Sequence, residues 1–157
     1  MSVATASINT KTVDGRRTVC YESLIAFLED AERLANCEVR TIGNWSQGQI
    51  YEHLARSLDV SIDGTDLMSA PFRLVLNLFL KKKFLQEAIP AGFQAPDKFV
   101  PAETSVEDGL ASLQRAVARQ NEVKERALHP GFGKLSPEEW GLFNLRHAEM
   151  HMSFIVE

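Results

Sequence analysis

Apolar residues recur at helical spacing in five segments of the chain, and no run of alternating apolar and polar residues persists anywhere. This feature constrains the fold most, because a chain without strands has to bury its helices against one another. The sequence therefore predicts an all-α protein, and a four-helix bundle is the simplest architecture. One helix would then be an accessory element, or a long connection would cross over the bundle. A length of 157 residues is enough for one such domain.

Capping residues and helix breakers set the expected boundaries. Ser46 and Gln49 form a capping-box pattern, and Ser136 followed by Pro137 is a strong helix start. The segment Gln94–Glu103 contains two prolines and reads as an extended connection. The predicted helices are Tyr21–Ala35, Ser46–Ile62, Phe72–Ile89, Ser105–Leu128 and a last one from Ser136 almost to the terminus. We expect residues 1–14 to be a flexible arm and residues 15–157 to be a single domain.

Charge and hydropathy exclude two classes of partner. The net charge of −4 is unfavourable for nonspecific nucleic-acid binding, which requires a basic face. The longest apolar stretch, Phe72–Leu80, is far shorter than the roughly 20 residues that span a bilayer. Met1–Asp14 has no apolar core of a secretory signal, so we expect a soluble, cytoplasmic protein.

Cys20 and Cys37 flank one predicted helix, roughly 25 Å apart, and are expected to be free thiols.

The last predicted helix carries the main chemical signal. His147 and His151 are four residues apart, so their rings project from one helix face, one turn apart. That face is otherwise apolar, with Trp140, Phe143 and Phe154, and we expect it to point into the bundle. Two buried imidazoles cost free energy unless their nitrogens are satisfied, and one metal ion satisfies both.

A third histidine is expected at the same place. His53 lies on the inward side of the second helix, beside Ile50 and Leu54. His53, His147 and His151 together predict a three-nitrogen metal site with a free position for water or substrate. The alternative is that these are core histidines that are only hydrogen-bonded. His129, which precedes Pro130 in a turn, is more typical of a capping or loop residue.

Other polar and aromatic residues add little chemistry. Glu149 lies on the face of its helix opposite the histidines, and Glu52 points away from His53, so no inward carboxylate base is evident. Trp45 and Trp140 are expected to be packing residues. The catalytic residues therefore stay undefined by the sequence.

Two segments resemble the DinB/YfiT-like superfamily of metalloenzymes. They are NWSQGQIYEHLARSLDVSIDG, from Asn44 to Gly64, and HPGFGKLSPEEWGLFNLRHAEMHMSFI, from His129 to Ile155. The resemblance implies a four-helix bundle with a three-histidine site for a divalent metal, often zinc or nickel, and it places the ligands at His53, His147 and His151. Relatives often carry two adjacent histidines at the end of the second segment, where this chain has Met150 before His151.

The resemblance and the histidines together suggest a metal-dependent enzyme, a transferase or a hydrolase. Characterised members of the superfamily include transferases that use small thiols such as mycothiol or bacillithiol, so a small thiol is one expected partner. The alternative is a non-catalytic metal-binding or structural bundle that acts through protein contacts. A homodimer is also expected, because apolar residues surround the third helix too broadly for one buried stripe: Leu74, Val75, Leu76, Leu78, Phe79 and Leu80.

Overall fold

The computed structural model describes residues 7–157 and is mainly helical, as the sequence predicts. The elements, in chain order, are α1 (Leu24–Ala35), β1 (Arg40–Thr41), α2 (Gln47–Asp63), α3 (Ala70–Phe79), α4 (Lys81–Gln86), α5 (Val106–Glu122), α6 (Pro137–Met152) and β2 (Ile155–Val156). Single 3-10 turns occupy Thr10–Thr12 and Asp97–Phe99.

Serine residues start the four longest helices. The Ser46 hydroxyl accepts from the Gln49 amide at 3.3 Å while the Gln49 side chain accepts from the Ser46 amide at 2.9 Å, so the predicted capping box at α2 is confirmed. Ser136 and Glu139 form the same pair at α6. Ser23 caps α1, which begins at Leu24 rather than at the predicted Tyr21, and Ser105 caps α5.

One main core joins the four longest helices. α2 packs along α5, α5 also contacts α1, and α6 contacts both α1 and α2. Their inner faces bury a continuous set of apolar side chains that includes Phe27, Leu34, Tyr51, Leu54, Leu58, Leu113, Val117, Ala148 and Met152. A smaller core of Phe132, Leu135 and Trp140 lies beside it, against residues of α3 and α4.

The prediction of one continuous third helix, Phe72–Ile89, is wrong. It divides at Leu80 into α3 and α4, although the Leu80 amide still donates to the Leu76 carbonyl and the Phe84 amide to that of Leu80. The result is a bend rather than a loop. It allows Leu76, Leu80 and Phe84 to reach the same small core from two helix segments.

The predicted fourth helix, Ser105–Leu128, is too long, because α5 ends at Glu122. Val123 adopts an extended conformation, and the guanidinium of Arg126 donates to the carbonyls of Gln120 and Val123 near the helix end. The Ala127 amide then donates to the Ser61 carbonyl of α2 at 3.0 Å. Side-chain capping and this contact with α2 replace the last helical turns.

A two-stranded antiparallel ribbon was not expected from the sequence. Arg40 pairs with Val156 and Thr41 with Ile155, so the end of α6 is tied to the segment before α2. Strands of two residues are too short to show an alternating pattern. This pairing helps fix the start of α2 beside the end of α6.

The N-terminal arm lies partly outside the described residues, which begin at residue 7. Beyond that point the backbone of Ile8 exchanges two hydrogen bonds with the Asn44 side chain, at 2.7 and 2.9 Å. Cys20 and Cys37 are both free, as predicted, and both are exposed. Among residues 7–157, no helix has the length and apolar character needed to cross a membrane.

The outer face of α3 is apolar and exposed. Leu74, Val75, Leu78 and Phe79 are each more than half exposed, up to 74% for Phe79. α3 has no buried residue. The homodimer expected from these residues stays a prediction.

Candidate metal centre

Two apolar stripes run along α6, and only one of them enters the main core. Leu145, Ala148 and Met152 are buried there, at spacings of three and four residues. His147 and His151 lie on the neighbouring stripe, are only partly buried, and line an open cleft beside the core. The expectation that this face points into the bundle is confirmed, since it meets His53 of α2 and its Phe154 is buried in the main core, while the two imidazole rings border the cleft.

His53 reaches the same place from α2. The residue is 4% exposed, and its Nδ1 atom lies 2.9 Å from the carbonyl oxygen of Phe99, in the connection before α5. A carbonyl only accepts, so Nδ1 carries the proton and Nε2 keeps its lone pair. This is the second contact that metal-ligating histidines commonly make, because it fixes the ring and the tautomer.

The ring nitrogens of the three histidines converge. His147 Nε2 lies 3.4 Å from His53 Nε2 and 3.1 Å from His151 Nε2. One ring nitrogen from each residue lies within 4.8 Å of the other two. Two nitrogens bound to one zinc ion at 2.0–2.1 Å in tetrahedral geometry are about 3.3 Å apart, so the two short separations suit a shared ion.

No single tautomer of His147 forms a hydrogen bond with both neighbouring rings. His147 Nε2 faces two other nitrogens, and a single N–H there can point at only one of them. If His151 donates to His147 instead, then two lone pairs face each other between His147 and His53. A cation between the rings accepts a lone pair from all three nitrogens, so the residues present fit a metal.

Burial keeps the imidazoles neutral, which is the form that binds metals. It lowers the pKa of His147 to about 3, and the neighbouring His53 and His129 act in the same direction. Burial, followed by the proximity of His147, holds the pKa of His151 well below its usual range. The pKa of His53 is also lowered by burial, while its bond to Phe99 opposes the shift.

Aromatic side chains hold the rings in place, and the sequence interpretation missed this role for Trp45. The indole of Trp45 is stacked on His151 with centroids 5.3 Å apart and lies 4.7 Å from His53. Phe143 stacks on His147 at 5.9 Å. Trp45 directly precedes the helix-capping Ser46, and its place next to a capped helix that carries His53 is the signal that could have indicated its position.

The cleft in front of the histidines is large and mostly apolar. Its volume is about 990 Å³, at the upper end of the range for small-molecule sites. Residues of α3, α4 and the 3-10 turn Asp97–Phe99 form its walls, and His53, His147 and His151 lie in its lining. The expectation that Trp140 is a packing residue is confirmed, since it is 2% exposed and its Nε1 donates to the Ala127 carbonyl at 3.0 Å.

His129 is not one of the converging histidines, and the predicted loop role is confirmed. Its Nδ1 atom accepts from the amides of Gly131 and Phe132 at 3.1 and 3.0 Å. Its backbone is paired in both directions with that of Gly133. The buried ring thereby holds the turn between α5 and α6 closed.

The His129 pKa leads to a pH prediction. Burial lowers it to about 4 from an ordinary value of 6.5. Between these values the unfolded chain binds a proton that the folded chain does not, so the free energy of unfolding falls as pH falls, by about 3 kcal/mol for this residue. In His129→Asn the amide oxygen can accept the same two N–H groups. We expect the free energy of unfolding of the metal-free variant, measured with urea, to depend less steeply on pH between 6.5 and 4 than that of the metal-free wild-type chain, by the uptake of one proton. An equal slope in the two proteins would contradict the assignment.

The carboxylates lie where the sequence suggested. Glu149 is buried away from the three converging histidines, where it accepts from the Tyr21 amide at 2.7 Å and pairs with Arg146 at 2.9 Å. Glu52 pairs with Arg56 on the surface of α2. Asp97 lines the cleft, and nothing in the sequence pattern singled it out.

The fold and the site define a helical protein whose three clustered histidines could hold a metal ion. The chain belongs to the family described as Protein of unknown function (DUF1569), whose sequence model matches residues 13–157. No curated protein and no solved structure matches the chain.

Proposed function

We propose that this chain is a metal-dependent enzyme in which His53, His147 and His151 bind one divalent transition metal ion. The observation that carries the proposal is the convergence of three neutral ring nitrogens, with His147 Nε2 at 3.4 and 3.1 Å from the other two. Three protein ligands leave a coordination position for a substrate, which is typical of catalytic rather than structural zinc sites. The open cleft gives a small molecule access to that position.

The surrounding residues prepare the site for the ion. The Phe99 carbonyl fixes the His53 tautomer, Trp45 and Phe143 hold the other two rings, and burial keeps all three imidazoles neutral at neutral pH. An ion held there would act as a Lewis acid and would lower the pKa of a water molecule or thiol in its open position. We propose zinc or nickel, since imidazole suits both.

The reaction class we propose is a transfer or hydrolysis that begins with such an activated nucleophile. A small thiol is the proposed cosubstrate, in line with the resemblance to the DinB/YfiT-like superfamily. The arrangement of α1, α2, α5 and α6 supports assigning the fold to the four-helix bundles of that superfamily, with α3 and α4 as accessory helices. The mutual contacts of these four helices around one core are the supporting observation.

A second candidate is a non-catalytic bundle that acts through protein contacts. It is favoured by one observation, the exposed apolar outer face of α3 with Leu74, Leu78 and Phe79. Light scattering separates the two ideas in part, because a stable dimer that buries this face is what the second candidate expects.

The test of the proposed function starts with the metal content of the purified full-length chain. We expect about one zinc or nickel ion per chain, lost on treatment with a chelator and regained on addition of the ion. The midpoint temperature of thermal unfolding should rise when the ion is added back, because only the folded chain presents the three nitrogens together. A chain that neither retains nor takes up a divalent ion contradicts the proposal. Turnover of electrophilic substrates with small thiols then separates an enzyme from a metal-binding protein.

A further inference from the structure

Apolar side chains form most of the cleft walls. Aromatic and aliphatic side chains from α3, α4 and the following connection line it, among them Phe72, Leu76, Phe84, Phe93 and Phe99. Phe72 and Phe93 are 52% and 69% exposed, which places apolar rings where solvent can reach them. Phe84 lies between Phe93 and Phe132, with ring centroids 6.0 and 5.9 Å away. Burying such rings against a ligand is favourable, since roughly 25 cal/mol is gained per Å² of apolar surface.

The charged residues of the cleft also favour an uncharged ligand. Among the described residues that line it, Asp97 is the only acidic one. No lysine or arginine belongs to this lining. Arg16, whose charge acts on His151, is bound to the Ser153 hydroxyl at 2.9 Å and the Met150 carbonyl at 3.4 Å. A phosphate or a polycarboxylate would therefore lose water in this cleft without gaining a cationic side chain.

We propose that the cleft binds an uncharged, mainly apolar small molecule with an aromatic ring or hydrocarbon chain, whose single polar group lies at the three histidines. Placement of the polar group rests on the proposed function, whereas binding of the apolar part does not require the ion. A volume of about 990 Å³ accommodates a molecule larger than a simple metabolite.

The probe for the test is N-phenyl-1-naphthylamine, an uncharged dye whose emission rises in apolar surroundings. We expect saturable binding of one dye per chain in both the metal-free and the metal-loaded full-length protein. In the metal-free protein, 1-decanol should displace the dye, and citrate and inorganic phosphate should not. Displacement from the metal-free protein by the charged ligands as well, or no saturable binding, would overturn the proposal.

Two matched variants locate the dye. Phe72 and Leu74 are both more than half exposed on α3, but only Phe72 lines the cleft. We expect Phe72→Arg to weaken dye binding about tenfold or more, because it replaces an apolar contact with a charge, and Leu74→Arg to leave binding unchanged. Equal losses in both variants would overturn the proposal, and so would loss of dye binding as the chain dimerises at high concentration.

Metal analysis of the same samples separates the two hypotheses. Dye binding to a chain that takes up no ion contradicts the proposed function but supports the proposal that the cleft binds an apolar molecule. A chain with one ion and no dye binding contradicts the apolar cleft only.

Discussion

Replacing His147 by alanine should abolish stoichiometric metal binding. Its Nε2 atom is the one in short contact with both other rings, so its loss removes a ligand and separates the remaining pair. Loss of residues that merely support a ligand typically weakens binding 10–100-fold, and we expect a weakening of more than about a hundredfold for this ligand. Metal content measured after gel filtration should fall from about one ion per chain to a trace. His53→Ala and His151→Ala should give the same result.

The control is His129→Asn, which changes another buried histidine of the same region. Its ring contacts the backbone amides of Gly131 and Phe132 rather than the three converging nitrogens. We expect this variant to retain its ion. Circular dichroism should show that the alanine variants are as helical as the wild-type chain after chelation. Wild-type metal content in a folded His147→Ala variant would show that the ion, if present, is bound elsewhere.

Several parts of this site could be predicted from local sequence, because they depend on interactions within a few residues. Ser46 and Ser136 determine where α2 and α6 begin, and the four-residue spacing determines that His147 and His151 share a face. These features need no tertiary information. That His53 approaches the pair follows from the inward side of α2, and the structure brings its nitrogen to 3.4 Å from that of His147.

Other features depend on long-range contacts and could not be predicted. α6 has two apolar stripes, and periodicity alone does not tell which one enters the core and which one lines a cleft. The bond between His53 and the Phe99 carbonyl joins residues 46 positions apart. α5 ends at Glu122 because Arg126 and the Ser61 carbonyl of α2 offer alternative hydrogen bonds, although the helical pattern itself continues.

The close approach of α2 and α5 leads to the second large effect, on stability. Gly48, near the start of α2, is packed against the backbone at the start of α5. A Cβ atom there would overlap the carbonyl oxygen of Thr104 and lie 2.5 Å from that of Ser105. Backbone atoms cannot rotate away as a side chain can. Alanine is a better helix former than glycine, so a loss of stability has to come from this overlap.

We therefore expect Gly48→Ala to lower the free energy of unfolding by about 1–3 kcal/mol, the usual cost of overpacking. The matched control is Gly141→Ala on α6, where an added Cβ meets no atom within 4 Å, and a gain of about 0.5–1 kcal/mol is expected there. Chemical denaturation of the two variants should thus give effects of opposite sign. A stabilised Gly48→Ala variant would show that the two helices do not approach this closely.

Gly48→Ala should also weaken metal binding, although Gly48 is not one of the three proposed metal ligands. The overlap pushes the start of α5 away from α2, and the connection that carries Phe99 ends at that point. This connection is held to α2 by the bond of Gln49 to the Pro101 carbonyl, at 3.0 Å, and by that of His53 to the Phe99 carbonyl. Displacing it releases the His53 ring from its fixed orientation, and loss of such a support typically costs 10–100-fold in metal affinity. Competition with a chromogenic chelator should reveal this loss in Gly48→Ala and none in Gly141→Ala. Equal affinities in the two variants would show that the Phe99 contact does not position His53.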